Sequence, residues 1–181
     1  MCGIAGLIHR GNSTNVGGEM QSMLQSLKHR GPDSTGYALY GDSKSKNYIL
    51  RFKVGENVKE GSSAVMEDAS IYEKRKEQVN EQILTSGATI VEEKKVTPYC
   101  FRYLIKCDDD LLEMAKKIES IEMTEILSLG KSLELIKDLG DAKDVADQYS
   151  LGNFNGTHGI GHTRMATESG VDIRSAHPFW G

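Results

Sequence analysis

The chain has 181 residues, 22 basic and 26 acidic, for a formal net charge of −4. That balance offers no electrostatic footing for nucleic acid or an anionic membrane surface, and no apolar run approaches the ~20 residues of a membrane span. Three cysteines (Cys2, Cys100, Cys107) form no disulfide framework, no Cys or His spacing suits a metal site, and no leader segment is evident, so reduced thiols in a cytoplasm are expected.

Gly3 to Ile8 (GIAGLI) is a short apolar run that reads as a buried strand. Its glycines mark a close approach of backbone or ligand. From Gly17 to His29, Met20, Met23, Leu24 and Leu27 recur at helical spacing and predict an amphipathic helix. It ends at Arg30-Gly31-Pro32-Asp33, a glycine then a proline. Gly36 to Tyr40 and Asn47 to Val54 read as strands across a polar turn. Residues 55–68 read as linker. Ala69 to Thr85 reads as a helix, Ala88 to Glu93 and Tyr99 to Cys107 as strands, and Leu111 to Ile121 as a helix with an Asp-rich start. Glu122 to Leu139 has a helical pattern, and residues 140–153 read as a helix and a loop. Asn155-Gly156 reads as a turn.

The glycines are uneven: eight fall between Gly3 and Gly41, and they return from Gly152 to Gly181, while the middle is richer in charge. Composition thus changes twice. The expected organisation is one domain made of residues 1–67 and 151–181, interrupted by an inserted α+β subdomain at 68–150.

Three places invite chemistry. Cys2 is either the first residue of a buried strand or, once Met1 is removed, a terminal nucleophile whose own α-amine is its base. His29-Arg30-Gly31-Pro32-Asp33 is either a helix stop with cations at the negative end or part of a site. In Gly161 to Thr167 (GHTRMAT), the Arg164 fork suits a carboxylate and Thr167 offers a hydroxyl; the plain alternative is a surface arginine after a strand. Cys100 and Cys107 read as buried thiols at a strand and its end.

Taken together and in order, MCGIAG at the terminus, HRGPDSTG at 29–36, GHTRMAT at 161–167 and SAHPF at 175–179 resemble class II glutamine amidotransferases, which are N-terminal-nucleophile hydrolases. The resemblance covers residues 1–41 and 159–179. It implies an α+β fold, the four-layer αββα sandwich of the N-terminal-nucleophile (Ntn) hydrolases, incomplete at its C-terminal end in this chain and carrying the inserted unit. It implies that Cys2 attacks the side-chain amide of L-glutamine and forms a glutamyl thioester, with ammonia released for a partner synthase. Arg30 and Gly31 match the segment that holds the terminal cysteine. Arg164 matches the arginine that binds the α-carboxylate, Thr167 its helper, and His177 a residue lining the same pocket. The long stretch between Gly41 and Gly159 suggests a glutamate-synthase-like assembly, including the related N-methylglutamate-forming enzymes. No cofactor is expected on this chain, because no phosphate-cradling glycine loop or cysteine cluster is present; a flavin or iron–sulfur cluster would sit with the acceptor.

The pattern departs from the family in the long insertion and in its C-terminal part. The family's Asn-Gly oxyanion pair and its α-amine-binding aspartate lie after the AHPF-like segment, so this chain is expected to be part of a longer protein. Two other readings stay open: a non-catalytic regulatory or assembly module derived from the same fold, and the amidotransferase of an asparagine- or hexosamine-type synthase.

Overall fold

The computed structural model describes residues 2–42, 46–56, 69–165 and 176–180. Within them the elements run β1 (Gly3–Ile8), α1 (Val16–Ser26), a 3-10 turn (Lys28–Arg30), β2 (Ser34–Gly41), β3 (Tyr48–Lys53), α2 (Ala69–Thr85), β4 (Thr89–Lys95) and β5 (Cys100–Lys106). There follow α3 (Leu111–Glu119), β6 (Glu125–Gly130), β7 (Leu133–Leu139), α4 (Ala142–Gln148), a 3-10 turn (Leu151–Asn153) and β8 (Gly156–Arg164). The result is a mixed α+β architecture with two antiparallel sheets.

The chain divides into two units, Met1–Lys44 with Ser132–Gly181, and Ser45–Lys131. In the first unit the strands lie in the order β1-β8-β2-β7. Side chains alternate across a strand, so register sorts them by face. Ala5, Gly161, Tyr37 and Ile136 form one paired row and Ile4, His162, Gly36 and Lys137 another. The Tyr37 face receives α1 and α4. Met20 and Leu24 of α1, and Val145 of α4, are fully buried there, and the Tyr37 hydroxyl donates to the Ala142 carbonyl at 2.6 Å. Burial drives the Tyr37 phenol well above its ordinary range, with Asp141 and Asp147 adding to the effect. On the opposite face Ile4, Ile8 and Ile160 are 72%, 80% and 53% exposed.

Both helices in this unit are capped by the residues that precede them. Asn15 Oδ1 accepts from the Gly18 amide at 2.9 Å. Asp141 Oδ1 accepts from Lys143 and Asp144 at 2.9 and 3.0 Å, and its Oδ2 pairs with Lys28 Nζ at 2.6 Å.

The second unit has the order β4-β5-β3-β6, reached through β3-α2-β4 and β5-α3-β6. Each helix links two parallel strands with a third between them, the split βαβ arrangement twice over. Leu50, Phe52, Phe101, Tyr103 and Ile105 are buried, as are Val79 and Ile83 of α2 and Met114 and Ile118 of α3. Phe52 packs edge-on to Tyr103, with centroids 5.0 Å apart. Asp110 caps α3, accepting from the Leu112 and Glu113 amides, as its acidic start leads one to expect. Cys100 and Cys107 are buried at the start of β5 and just beyond its end.

Two expectations change. Glu122 to Leu139 is not a helix but holds two strands, β6 and β7, which belong to different sheets: β6 pairs with β3 and β7 with β2. Its apolar residues fit a helical period, but Ile126 to Ser128 and Glu134 to Leu139 are buried in succession, which removes the alternation that marks a strand. The dividing lines also fall elsewhere than 67/68 and 150/151. Residues 48–53 belong with the second unit because β3 is the first strand of one split βαβ and fills the gap of the other. Residues 133–148 belong with the first because β7 pairs with β2 and α4 packs beside α1. Among the described residues no helix is long and apolar enough to cross a membrane.

Candidate active site

One end of the first sheet gathers most of the residues singled out by sequence. Gly3 on β1 pairs with Thr163 on β8, and Arg164 pairs with Ser34 on β2. The residue before Gly3 is Cys2, an exposed free thiol. Strand register therefore brings the start of the chain to the sheet end that carries Arg164.

The HRGPD segment abuts the same end. The chain leaves the 3-10 turn at Gly31, which is buried against β8. A Cβ built there would stand 2.5 Å from the Arg164 nitrogen and 2.6 Å from the Thr163 carbonyl carbon. The Asp33 amide donates to the Arg164 carbonyl at 3.1 Å, and the Gly140 amide to the Asp33 carbonyl at 3.0 Å. Gly31 thus packs on the backbone of Arg164, while the Arg30 side chain is exposed. Arg164 itself is half-buried. Thr167, like Met1, lies outside the described residues.

His177 reaches the site from above the outer face. A Cβ on Gly36 would overlap the His177 carbonyl oxygen, so the missing side chain at position 36 is what lets the 176–180 segment sit on β2. The His177 ring lies 5.0 Å from that of His162 at 52°, and 4.7 Å from that of Phe179 at 70°.

Sequence inspection did not single out two residues that sit in this cluster. His162 pairs with Ile4 and Gly36, one row inward from Arg164, and is only 9% exposed. Burial, then the nearby His177 and Arg164, hold its imidazole below the ordinary histidine range and keep it neutral. Ser34, opposite Arg164, is fully buried. The Nδ1 of His162 and the Oγ of Ser34 are buried with no hydrogen-bond partner among the described residues. Buried polar atoms are ordinarily paired, so both of these groups are in want of a partner. Both residues lie inside the quoted motifs; only the strand register reveals that they share a face with Arg164.

No family model matches the chain. Over 99% of its length it is 36% identical to a protein of Methanothermobacter thermautotrophicus that is provisionally named a glutamine amidotransferase. Over the same share it is 30% identical to the glutamine amidotransferase-like protein GlxB of Rhizobium meliloti. It spans 56% and 54% of those two proteins, about half of each. The chain is therefore homologous, over nearly its whole length, to one half of proteins that carry the glutamine amidotransferase name.

Proposed function

We propose that this chain carries the glutamine-hydrolysing site of a class II amidotransferase whose nucleophile is Cys2. The observation that supports this most is the register that brings Cys2, at the start of the chain, to the same sheet end as Arg164. The names of the two homologues agree with the reaction class.

Removal of Met1 frees the α-amine of Cys2. The amine takes the thiol proton, and the sulfur adds to the side-chain carbonyl carbon of glutamine. The tetrahedral intermediate collapses as its C–N bond breaks. The amine returns the proton, ammonia leaves, and a glutamyl thioester remains. Water then adds to the thioester, its C–S bond breaks, and glutamate and the free thiol are restored. Arg164 holds the α-carboxylate through its two-pronged fork, Thr167 assists it, and His177 lines the pocket. Gly31 keeps the Arg164 backbone in place, and the Arg30–Gly31 turn serves the terminal cysteine through that strand end. Ammonia passes to a partner synthase of glutamate-synthase type in the cytoplasm. The exposed Ile4, Ile8 and Ile160 on the outer face of β1 and β8 support the four-layer αββα reading, because an apolar sheet face needs a second layer.

The test is intact-mass spectrometry and peptide mapping after exposure to a diazoketone analogue of glutamine. One adduct on a peptide beginning at Cys2 is expected. Absence of any adduct from protein that has lost Met1 would overturn the reading.

A further inference from the structure

One contact on the outer face of the first sheet has no part in the chemistry above. Lys137 on β7 is only 2% exposed, whereas Phe179 is 56% exposed. The Lys137 ammonium nonetheless lies 4.7 Å from the centre of the Phe179 ring. Burial of apolar area does not account for the location of a phenyl ring left mostly in solvent. A cation beneath its face does, because the ring quadrupole attracts it, most strongly where the cation is shielded from water.

The contact continues. Phe179 stands edge-on to His177, and His177 lies tilted against the buried His162. The backbone of His177 rests on Gly36. Lys137, Gly36 and His162 occupy one paired row across β7, β2 and β8. A series of side-chain contacts therefore starts and ends on the sheet and includes the His177 ring. Phe179 and His162 both contact that ring.

We infer that Phe179, held by Lys137, is a positioning residue that sets His177 at the glutamine pocket, an inference that rests on the amidotransferase reading. Phe179 does not itself meet the reacting atoms. Its exposure makes it a mild site to change, since little apolar area is lost with it.

The experiment compares the rates at which Cys2 is labelled in the full-length, Met1-processed protein. Two probes are used: the diazoketone analogue, which needs the pocket, and iodoacetamide, which needs only the thiol. In Phe179→Ala the diazoketone rate is expected to fall roughly fivefold to thirtyfold, the range set by losing a contact of this type. The iodoacetamide rate stays within about twofold, since the thiolate fraction that governs it is untouched. Phe179→Tyr, which keeps a ring over the cation, restores the diazoketone rate, and Lys137→Met reproduces the Phe179→Ala loss. Unchanged diazoketone labelling in Phe179→Ala would overturn the inference, as would an equal slowing with both probes. If the wild-type protein takes no diazoketone at Cys2, the amidotransferase reading itself fails, a result separate from any effect at Phe179.

Discussion

Gly31 lies so close to Arg164 that a single methyl group at position 31 would stand 2.5 Å from the Arg164 backbone nitrogen. The φ of Gly31 is −177°, extended backbone open to any residue, so the demand is for space alone. Gly31→Ala must push the turn and the end of β8 apart. A stability loss of about 1–3 kcal/mol is expected from such overpacking, measurable by urea unfolding, together with a raised KM for glutamine as Arg164 shifts. A Gly31→Ala protein with wild-type stability and KM would show that the turn yields freely.

Arg164→Ala removes a guanidinium assigned to the α-carboxylate. Charge-assisted hydrogen bonds are worth about 1.5–3 kcal/mol, so the KM for glutamine should rise roughly tenfold to a hundredfold. Arg164→Lys should recover only part of the loss, because an ammonium cannot reproduce the planar fork. Steady-state glutaminase kinetics check both. A near-normal KM in Arg164→Ala would remove the residue from the site.

Asp141 gives a prediction about acid stability. Burial works to raise its carboxyl, but the Lys28 ammonium and the amides of Asp144 and Lys143 outweigh it and hold the group below its ordinary 3.8. A carboxylate with a depressed folded-state pKa stabilises the fold above its unfolded value, and the contribution fades as pH falls through the folded value. Asp141→Ala should therefore cost about 1 kcal/mol at neutral pH, typical of a lost N-cap. The gap from wild type should narrow well below pH 3.8. Urea unfolding at the two pH values decides; a constant gap would mean that charge at Asp141 contributes nothing.

His162 titrates with the same sign for a different reason. Burial, aided by His177 and Arg164, depresses its pKa below 6.5. The folded state thus resists a proton that the unfolded chain accepts, and stability falls as pH drops from the unfolded value to the folded one. His162→Asn, which cannot take that proton, should lose less stability than wild type between neutral pH and the acid side of 6.5. Matched slopes in unfolding free energy against pH would exclude His162 as the source.

Much of the first unit could be read from residue patterns alone. Gly3 to Ile8, the Met20–Leu24 helix and Gly36 to Tyr40 announce themselves by spacing and by their glycine and proline stops. The strands at 125–130 and 133–139 could not be read the same way. Strands buried on both faces carry apolar residues without alternation, and Glu134, Lys137 and Asp138 are buried polar residues that look like the wet side of a helix. The affinity of residues 48–53 for the second unit was hidden because strand order is a long-range property. At the site, Cys2, Arg164 and His177 stood out by motif. His162 and Ser34 did not, since a histidine or serine in a strand acquires meaning only once its face is known.

The Gly41 amide donates to the Ser132 carbonyl at 2.9 Å, and Tyr40 pairs with Leu133. The strand that leaves the first unit and the strand that returns to it are thus already zipped together where the intervening chain begins. To the host sheet, that whole stretch is equivalent to the loop of a β2–β7 hairpin. Closing a longer loop costs little more than closing a short one, about 0.6 kcal/mol for each doubling. The position is therefore a natural splice point. A short Asn-Gly link across it should leave a permissive scaffold, and other compact modules could be carried there without disturbing the register that joins Cys2 to Arg164.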